Sequence, residues 1–498
     1  MSNNPYKKLG GQTIIYGFGT IVPRMLNYVI LTIYYTRKLE VQEYGIITEI
    51  YAYIAIFLVI LTYGMETGYF KFSVEKNKNT LFSSAVITLF SSSAFFILIG
   101  LLLSGRISEW MQYKNYPELI RFAILIVSID AFSNIFIAKI RIDEKLKKFV
   151  FVQLLNVVLT IVLVVFFLEV VPFMHKKNIE NGLINYISGF SKIYLIFLAN
   201  LISSIVRLIL LSSELNNIRI KFDRRLIKAL LLYSLPLLIA QLSGVFNESL
   251  DRILLRHFLP DYTDKLYQIG IYGANYRIAM IMTIFIQMFR YAAEPFYFKN
   301  YHQREAKKLY ADVFRYFTIF CAIIFLMVML YIDYFKFFID KKFHDGLHIV
   351  PIILISAFLT GVLFNMNVWY KLTGKTYYGV YIIGSGAVIT ILLNAFFIPR
   401  YGYYGSALTH LISNIVMIFI SYMFGKKYYA IPYEWKKVVI YVFMGFILYI
   451  TASYSHFNSL LINTIKNSLL FFVFLFIVIK KEDLIGVFIK GDYENKNN

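Results

Sequence analysis

Cysteine is almost missing from this 498-residue chain: the single Cys321 lies in the apolar run Phe320-Cys321-Ala322-Ile323. One thiol can form neither an internal disulfide nor a thiolate metal site, which excludes redox chemistry. Charge is scarce as well, at 16% of residues where a soluble domain carries about 25%. With 59% hydrophobic residues and a mean hydropathy of +0.63, this excludes a soluble enzyme, a disordered tail and a secreted disulfide scaffold. Catalytic signatures are missing too. There is no Walker loop and no paired acidic motif leading a catalytic domain. His344 and His348, four residues apart beside Asp340 and Asp345, lack the glutamate of a His-Glu-x-x-His site, so their loop reads as solvated. No metal, cofactor or catalytic residue is expected.

What the chain has instead is apolar sequence in runs of about 20 residues, the length that crosses a bilayer as a helix. Fourteen spans are expected, at 10–36, 46–70, 79–103, 117–138, 149–171, 190–211, 229–250, 268–292, 309–332, 347–370, 376–399, 403–424, 436–454 and 461–479. The fold class is therefore all-α, a polytopic membrane protein. A net charge of +21 would point to nucleic acid in a soluble protein, but here Lys and Arg cluster in short loops, where they report topology. With both termini cytoplasmic, inner segments hold 30 of the 50 Lys and Arg residues and outer segments 16, counting those near a span end with their loop. The other four, Arg24, Arg207, Arg277 and Arg290, lie within spans. Lys7 and Lys8 precede a span without a small-residue cleavage pattern, which reads as a retained first helix.

The inner connection 212–228 mixes apolar and basic residues, as a helix lying on the inner leaflet would. It follows the sixth span, where a connector between two six-helix lobes would fall; a generic basic loop is the plainer alternative. An internal echo fits repeated lobes, since Gly45-Ile46 with Tyr51 opens span two and Gly270-Ile271 with Tyr276 opens span eight. The expected organisation is an N-terminal lobe at 1–211, an amphipathic linker at 212–228, a C-terminal lobe at 229–424, and two further helices with a cytoplasmic tail at 425–498.

Charged groups inside a bilayer are costly unless they face a partner or a wet cavity, so each is a functional candidate. In the first span Gly10, Thr13, Gly17, Thr20, Arg24 and Asn27 share one helical face. Arg24 either lines a cavity or pairs with an acid such as Glu66 or Asp130, and Pro23 beside it predicts a kink, static or hinged. Span seven carries Ser234, Gln241, Gly244, Glu248 and Asp251 on one face, with Asn247 adjacent. Span eight carries Arg277, then Thr283, Gln287, Arg290 and Glu294. Arg24, Arg277 and Arg290, with Asn27, would form a cationic substrate path, and Glu66, Glu248 and Asp251 would be counter-charges or ion-coupling groups. Arg290 and Glu294 could equally form a local i,i+4 pair.

Several short pieces, in order and at matching spacing, carry a resemblance. They are Thr36-Arg37 with Glu43-Tyr44-Gly45, Gly64-Met65-Glu66-Thr67-Gly68-Tyr69-Phe70-Lys71-Phe72, and Ser234-Leu235-Pro236-Leu237. Then follow Asp251-Arg252, Gly270-Ile271-Tyr272, Leu393-Asn394 with Ile398-Pro399, and Tyr401-Gly402 with Gly405-Ser406-Ala407. The chain resembles the oligosaccharide-lipid flippases of the multidrug/oligosaccharidyl-lipid/polysaccharide exporter superfamily, in the Wzx-like polysaccharide-transporter branch. The resemblance implies two six-helix lobes around a central cavity and alternating access. It implies transport of an undecaprenyl-pyrophosphate-linked oligosaccharide to the periplasmic leaflet of the bacterial inner membrane, for O-antigen, capsule or exopolysaccharide assembly. The implied partners are that substrate, inner-membrane lipids, and the polysaccharide polymerase and chain-length machinery.

The residue chemistry fits, because Arg binds pyrophosphate through forked hydrogen bonds. Coupling would be to the membrane potential or to a proton or sodium gradient. Other readings are a lipid II flippase, a drug/cation antiporter, which would want an apolar or acidic cavity, and a membrane-embedded polymerase or ligase, which would need a large outer loop.

Overall fold

A computed structural model of the chain describes residues 22–482, apart from 24, 76, 114–115, 178–181, 183–186, 217–220, 456 and 458. Of the first expected span, residues 10–21 and Arg24 lie outside the described residues. Four residues after Pro23 the helix widens into a π turn, Asn27–Leu31, before α1 (Thr32–Lys38).

A capping box between Glu40 and Glu43 starts α2 (Val41–Thr62), and Tyr63 and Gly64, at φ 34° and 70°, end it before α3 (Met65–Glu75). The uninterrupted helix expected over 46–70 is therefore broken, because two left-handed residues cannot continue a right-handed helix. Asn77 caps α4 (Lys78–Trp110), and Pro117 opens α5 (Pro117–Ile142). α6 (Leu146–Val165) passes through a second π turn, Phe166–Val170, into α7 (Val171–Lys176), and α8 (Lys192–Ser212) follows. In the connection 212–228, Ser213–Leu215 form one 3-10 turn, residues 221–223 have no helical structure, and Asp223 caps α9 (Arg224–Phe258).

Beyond α9 come α10 (Lys265–Asn300), α11 (Ala306–Leu330), α12 (Val350–Met366) and α13 (Val368–Leu372). The last are α14 (Tyr377–Tyr428), α15 (Trp435–Tyr454) and α16 (Leu460–Lys481). α14 is two helices meeting at Gly402, whose φ of 57° breaks it where the eleventh and twelfth spans were expected to separate. Among the described residues there is no strand, and twelve helices are long and apolar enough to cross a membrane. The protein is all-α and multi-pass. Lipid as solvent explains the apolar outer faces, such as Leu102 at 77% exposure and Leu461 at 67%.

By packing, the chain gathers into two compact units. One holds the residues up to Gly273 together with Ile383–Ser406, the other Ala274–Ile382 and the residues from Ala407 on. In the first unit α3, α4, α5 and α9 share a core around Tyr69, Phe82, Phe136 and Leu230, with Phe82 and Phe136 edge to face at 5.7 Å. The two glycines of the internal echo face each other here. A Cβ on Gly45 would stand 2.2 Å from the Leu266 carbonyl oxygen, and one on Gly270 2.1 Å from that of Val41. Glycine is required on both sides because the backbones of α2 and α10 are in direct contact. In the second unit α11, α15 and α16 pack around Leu326, Tyr441 and Phe474, while Trp369, Tyr370 and Ile382 form a separate core.

Candidate functional site

In the first unit the scattered motif segments prove to be one another's neighbours. A Cβ on Gly68 would stand 2.2 Å from Ser234 Oγ, and one on the left-handed Gly64 2.7 Å from the Ser234 carbonyl oxygen. Asp251 is 2% exposed; its carboxylate accepts from the Tyr272 hydroxyl at 3.0 Å and from Asn394 Nδ2 at 3.1 Å. Three motif pieces, from the ends of α9 and α10 and from α14, thus meet at one buried acid. Gly402 brings the Tyr403 N–H to Gln268 Oε1 at 3.1 Å. The expected coupling acid Asp251 therefore also joins three helices, as buried polar groups must be satisfied by neighbours.

A second acid was not singled out by the sequence. Glu49 in α2 is fully buried and accepts from the Tyr113 hydroxyl at 2.5 Å, while Arg256 Nε lies 3.9 Å away. The Arg256 guanidinium sits 5.1 Å above the Tyr113 ring and reaches the carbonyl oxygens of Met111 and Gln112, both at 3.4 Å. Burial, with Glu49 beside it, pushes the Tyr113 phenol well above its ordinary range, which keeps it a donor. A lone acid in an apolar run was legible as Ile47-Thr48-Glu49-Ile50; its partners lie far along the chain. Glu66 and Asp130, the acids considered for Arg24, are paired otherwise. Glu66 binds Arg141, whose guanidinium covers Phe70 at 4.9 Å, and Asp130 binds Arg207 at 2.6 Å.

Asn27 is exposed at the head of the first π turn, and the side chain of Glu248 lies outside the description. In the second unit Arg277 is half-buried, its guanidinium 4.0 Å from Met280 Sδ. Thirteen residues further along α10, about 20 Å at the helical rise, is Arg290. Its side chain is exposed and lies 5.0 Å from the Phe364 ring centre. Lys371 Nζ is 5.3 Å from the same centre and 2.5 Å from Glu294 Oε1. The local Arg290–Glu294 pair is thus replaced by a pair between α10 and α13. Two cations flank one aromatic ring with a single carboxylate between them, and among the described residues Arg290 has no acidic partner. That arrangement leaves a positive charge for an anionic ligand.

Comparison with known proteins agrees with this architecture. Residues 9–301 match the family described as Polysaccharide biosynthesis protein. The "Lsg locus putative protein 1" of Haemophilus influenzae is 22% identical over 305 residues, 60% of this chain and 68% of that protein. Among solved structures, an inward closed "Lipid II flippase MurJ" superposes with a TM-score of 0.70 at 15% identity, covering 95% of this chain and all of the other. An inward-facing MATE multidrug resistance transporter of the MOP superfamily gives 0.66 at 14% identity, over 83% and 97%.

Proposed function

Because the chain belongs to the polysaccharide biosynthesis protein family, within the multidrug/oligosaccharidyl-lipid/polysaccharide exporter superfamily, we propose that it is a flippase for a lipid-linked oligosaccharide. The substrate is an undecaprenyl-pyrophosphate-linked unit destined for surface polysaccharide, carried from the cytoplasmic to the periplasmic leaflet of the inner membrane. The observation that carries this reading is Arg290. A guanidinium that is exposed and has no acidic partner among the described residues, in a helix long and apolar enough to cross a membrane, offers its charge to an anion, and a forked donor suits pyrophosphate. Lys371, beside the same ring, is answered by Glu294, so the uncompensated charge is that of Arg290. On the chemistry of their side chains, we assign further substrate contacts to Arg24, Asn27 and Arg277, and ion exchange to Asp251, Glu248 and Glu66.

The head group carries about two negative charges out of a negative interior, worth roughly 2.3 kcal/mol per charge at 100 mV. No nucleotide is then needed. In proteoliposomes, outward flux rises when a potassium diffusion potential makes the cytoplasmic face negative. Arg24→Ala, Arg277→Ala and Arg290→Ala each lower it in folded protein, and Arg24→Lys restores only part. Flux that follows ATP and ignores voltage and ion gradients would refute the mechanism. Flux lost in Glu248→Gln with the arginines intact would instead favour ion exchange.

A further inference from the structure

The second unit contains a small chamber that the head-group reading does not use. Trp369, Ser421, Tyr422, Lys426, Tyr429 and Tyr433 line about 150 Å³. Pockets for drug-sized ligands begin near about 300 Å³, so this one has room for a single ring. Its polar floor is internally satisfied: the Trp369 indole N–H faces Ser421 Oγ at 3.4 Å, and Ser421 donates to Asn367 Oδ1 at 2.7 Å. The hydroxyls of Tyr422, Tyr429 and Tyr433 make no hydrogen bond among the described residues. Burial, and then the neighbouring Tyr422, pushes the Tyr433 phenol above its ordinary range, so it keeps a proton to donate. Trp435 lies behind them, its ring 5.5 Å from Tyr422 and 5.6 Å from Tyr433.

Aromatic faces beside uncommitted phenols match one chemistry well. A pyranose ring presents C–H groups to aromatic faces and hydroxyls to donors and acceptors around its edge. A hydrocarbon chain would leave three phenols and an ammonium unpaired, and a bare phosphate would face rings and one lysine. The position agrees. Tyr429 packs in the same cluster as Phe364, the ring flanked by Arg290 and Lys371, so anion and ring sites adjoin as they do in a sugar pyrophosphate. We propose that this chamber binds one sugar ring of the lipid-linked substrate and discriminates among sugars; the assignment rests on the head-group reading above.

Trp110→Phe leaves Trp369 and Trp435 as the only tryptophans, and Trp110 itself is 63% exposed in the other unit. The full-length variant in nanodiscs is titrated, by indole emission, with undecaprenyl pyrophosphate and with the same lipid bearing one glucose, galactose or N-acetylglucosamine. At least one sugar-bearing form is expected to bind about tenfold more tightly than the bare lipid and to change the emission. Tyr422→Phe and Tyr433→Phe should each weaken that form by about three- to tenfold, the range of one hydrogen bond, and leave the bare lipid unchanged. Arg290→Ala should weaken both lipids alike. If bare and sugar-bearing lipids bind equally, or the phenylalanine variants bind the sugar forms as the parent does, the chamber is only part of an interfacial aromatic belt and the proposal is overturned. If no lipid binds at all, the head-group reading fails and takes this assignment with it.

Discussion

Removing Arg256 tests whether the buried cluster around Glu49 is held by charge. Glu49 is fully buried, and its neighbours are the Tyr113 hydroxyl at 2.5 Å and the Arg256 guanidinium at 3.9 Å. At that separation the attraction is about 4 kcal/mol for an effective dielectric of about 20. Breaking a buried pair from one side costs about 3–5 kcal/mol, because the remaining charge is left in a medium that cannot solvate it. Tyr113 continues to donate in Arg256→Ala, so the expected loss lies near the lower end, about 3 kcal/mol. Glu49→Gln removes the buried charge but keeps an acceptor for Tyr113, and should cost only about 1–2 kcal/mol. The double variant should then be more stable than the two losses added together, by about 2 kcal/mol. The assay is denaturant unfolding of the purified protein in detergent micelles, followed by intrinsic fluorescence for the four proteins. An Arg256→Ala protein as stable as the parent, or losses that simply add to within about 0.5 kcal/mol, would refute the reasoning.

Gly45→Ala and Gly270→Ala each place a methyl group against the opposite backbone and should each lose about 1–3 kcal/mol or more in the same unfolding assay; Gly244→Ala, with open space around it, should not. Glu434 is raised by burial but lowered more by hydrogen bonds from Arg315 and Lys437, so its carboxyl is held below its ordinary value. The stability this gives is present above the unfolded value near about 4.3 and is lost as pH falls through the lower folded value, an acid sensitivity that Glu434→Gln should remove. With Cys321 replaced, single cysteines at Lys177 and Lys341 should react with an impermeant thiol reagent in intact cells, whereas those at Lys147 and Lys308 should not. The opposite pattern would invert the orientation.

Helix positions were legible in the chain because the bilayer imposes a one-dimensional test: about 20 consecutive residues must be apolar whatever they later touch. The break at Gly402 could be read from the chain for a similar reason, since only local sequence separates two spans. The break at Tyr63 and Gly64 was missed because both residues lie within an apolar run and only their backbone angles reveal it. Spacing on a helix face likewise singled out Asp251 and Arg290 as candidate residues. It could not say what answers them. Glu66 is matched by Arg141, 75 residues away, and Asp130 by Arg207, 77 away. Arg290 faces Phe364 rather than the nearby Glu294. A charge buried in a membrane protein can be satisfied by any partner the packing brings within a few ångströms, and periodicity along one helix holds no record of the helix opposite. The echo of Gly45 and Gly270 shows the same limit: three matching positions are visible in sequence, but only the contact of α2 with α10 makes each glycine the reason for the other.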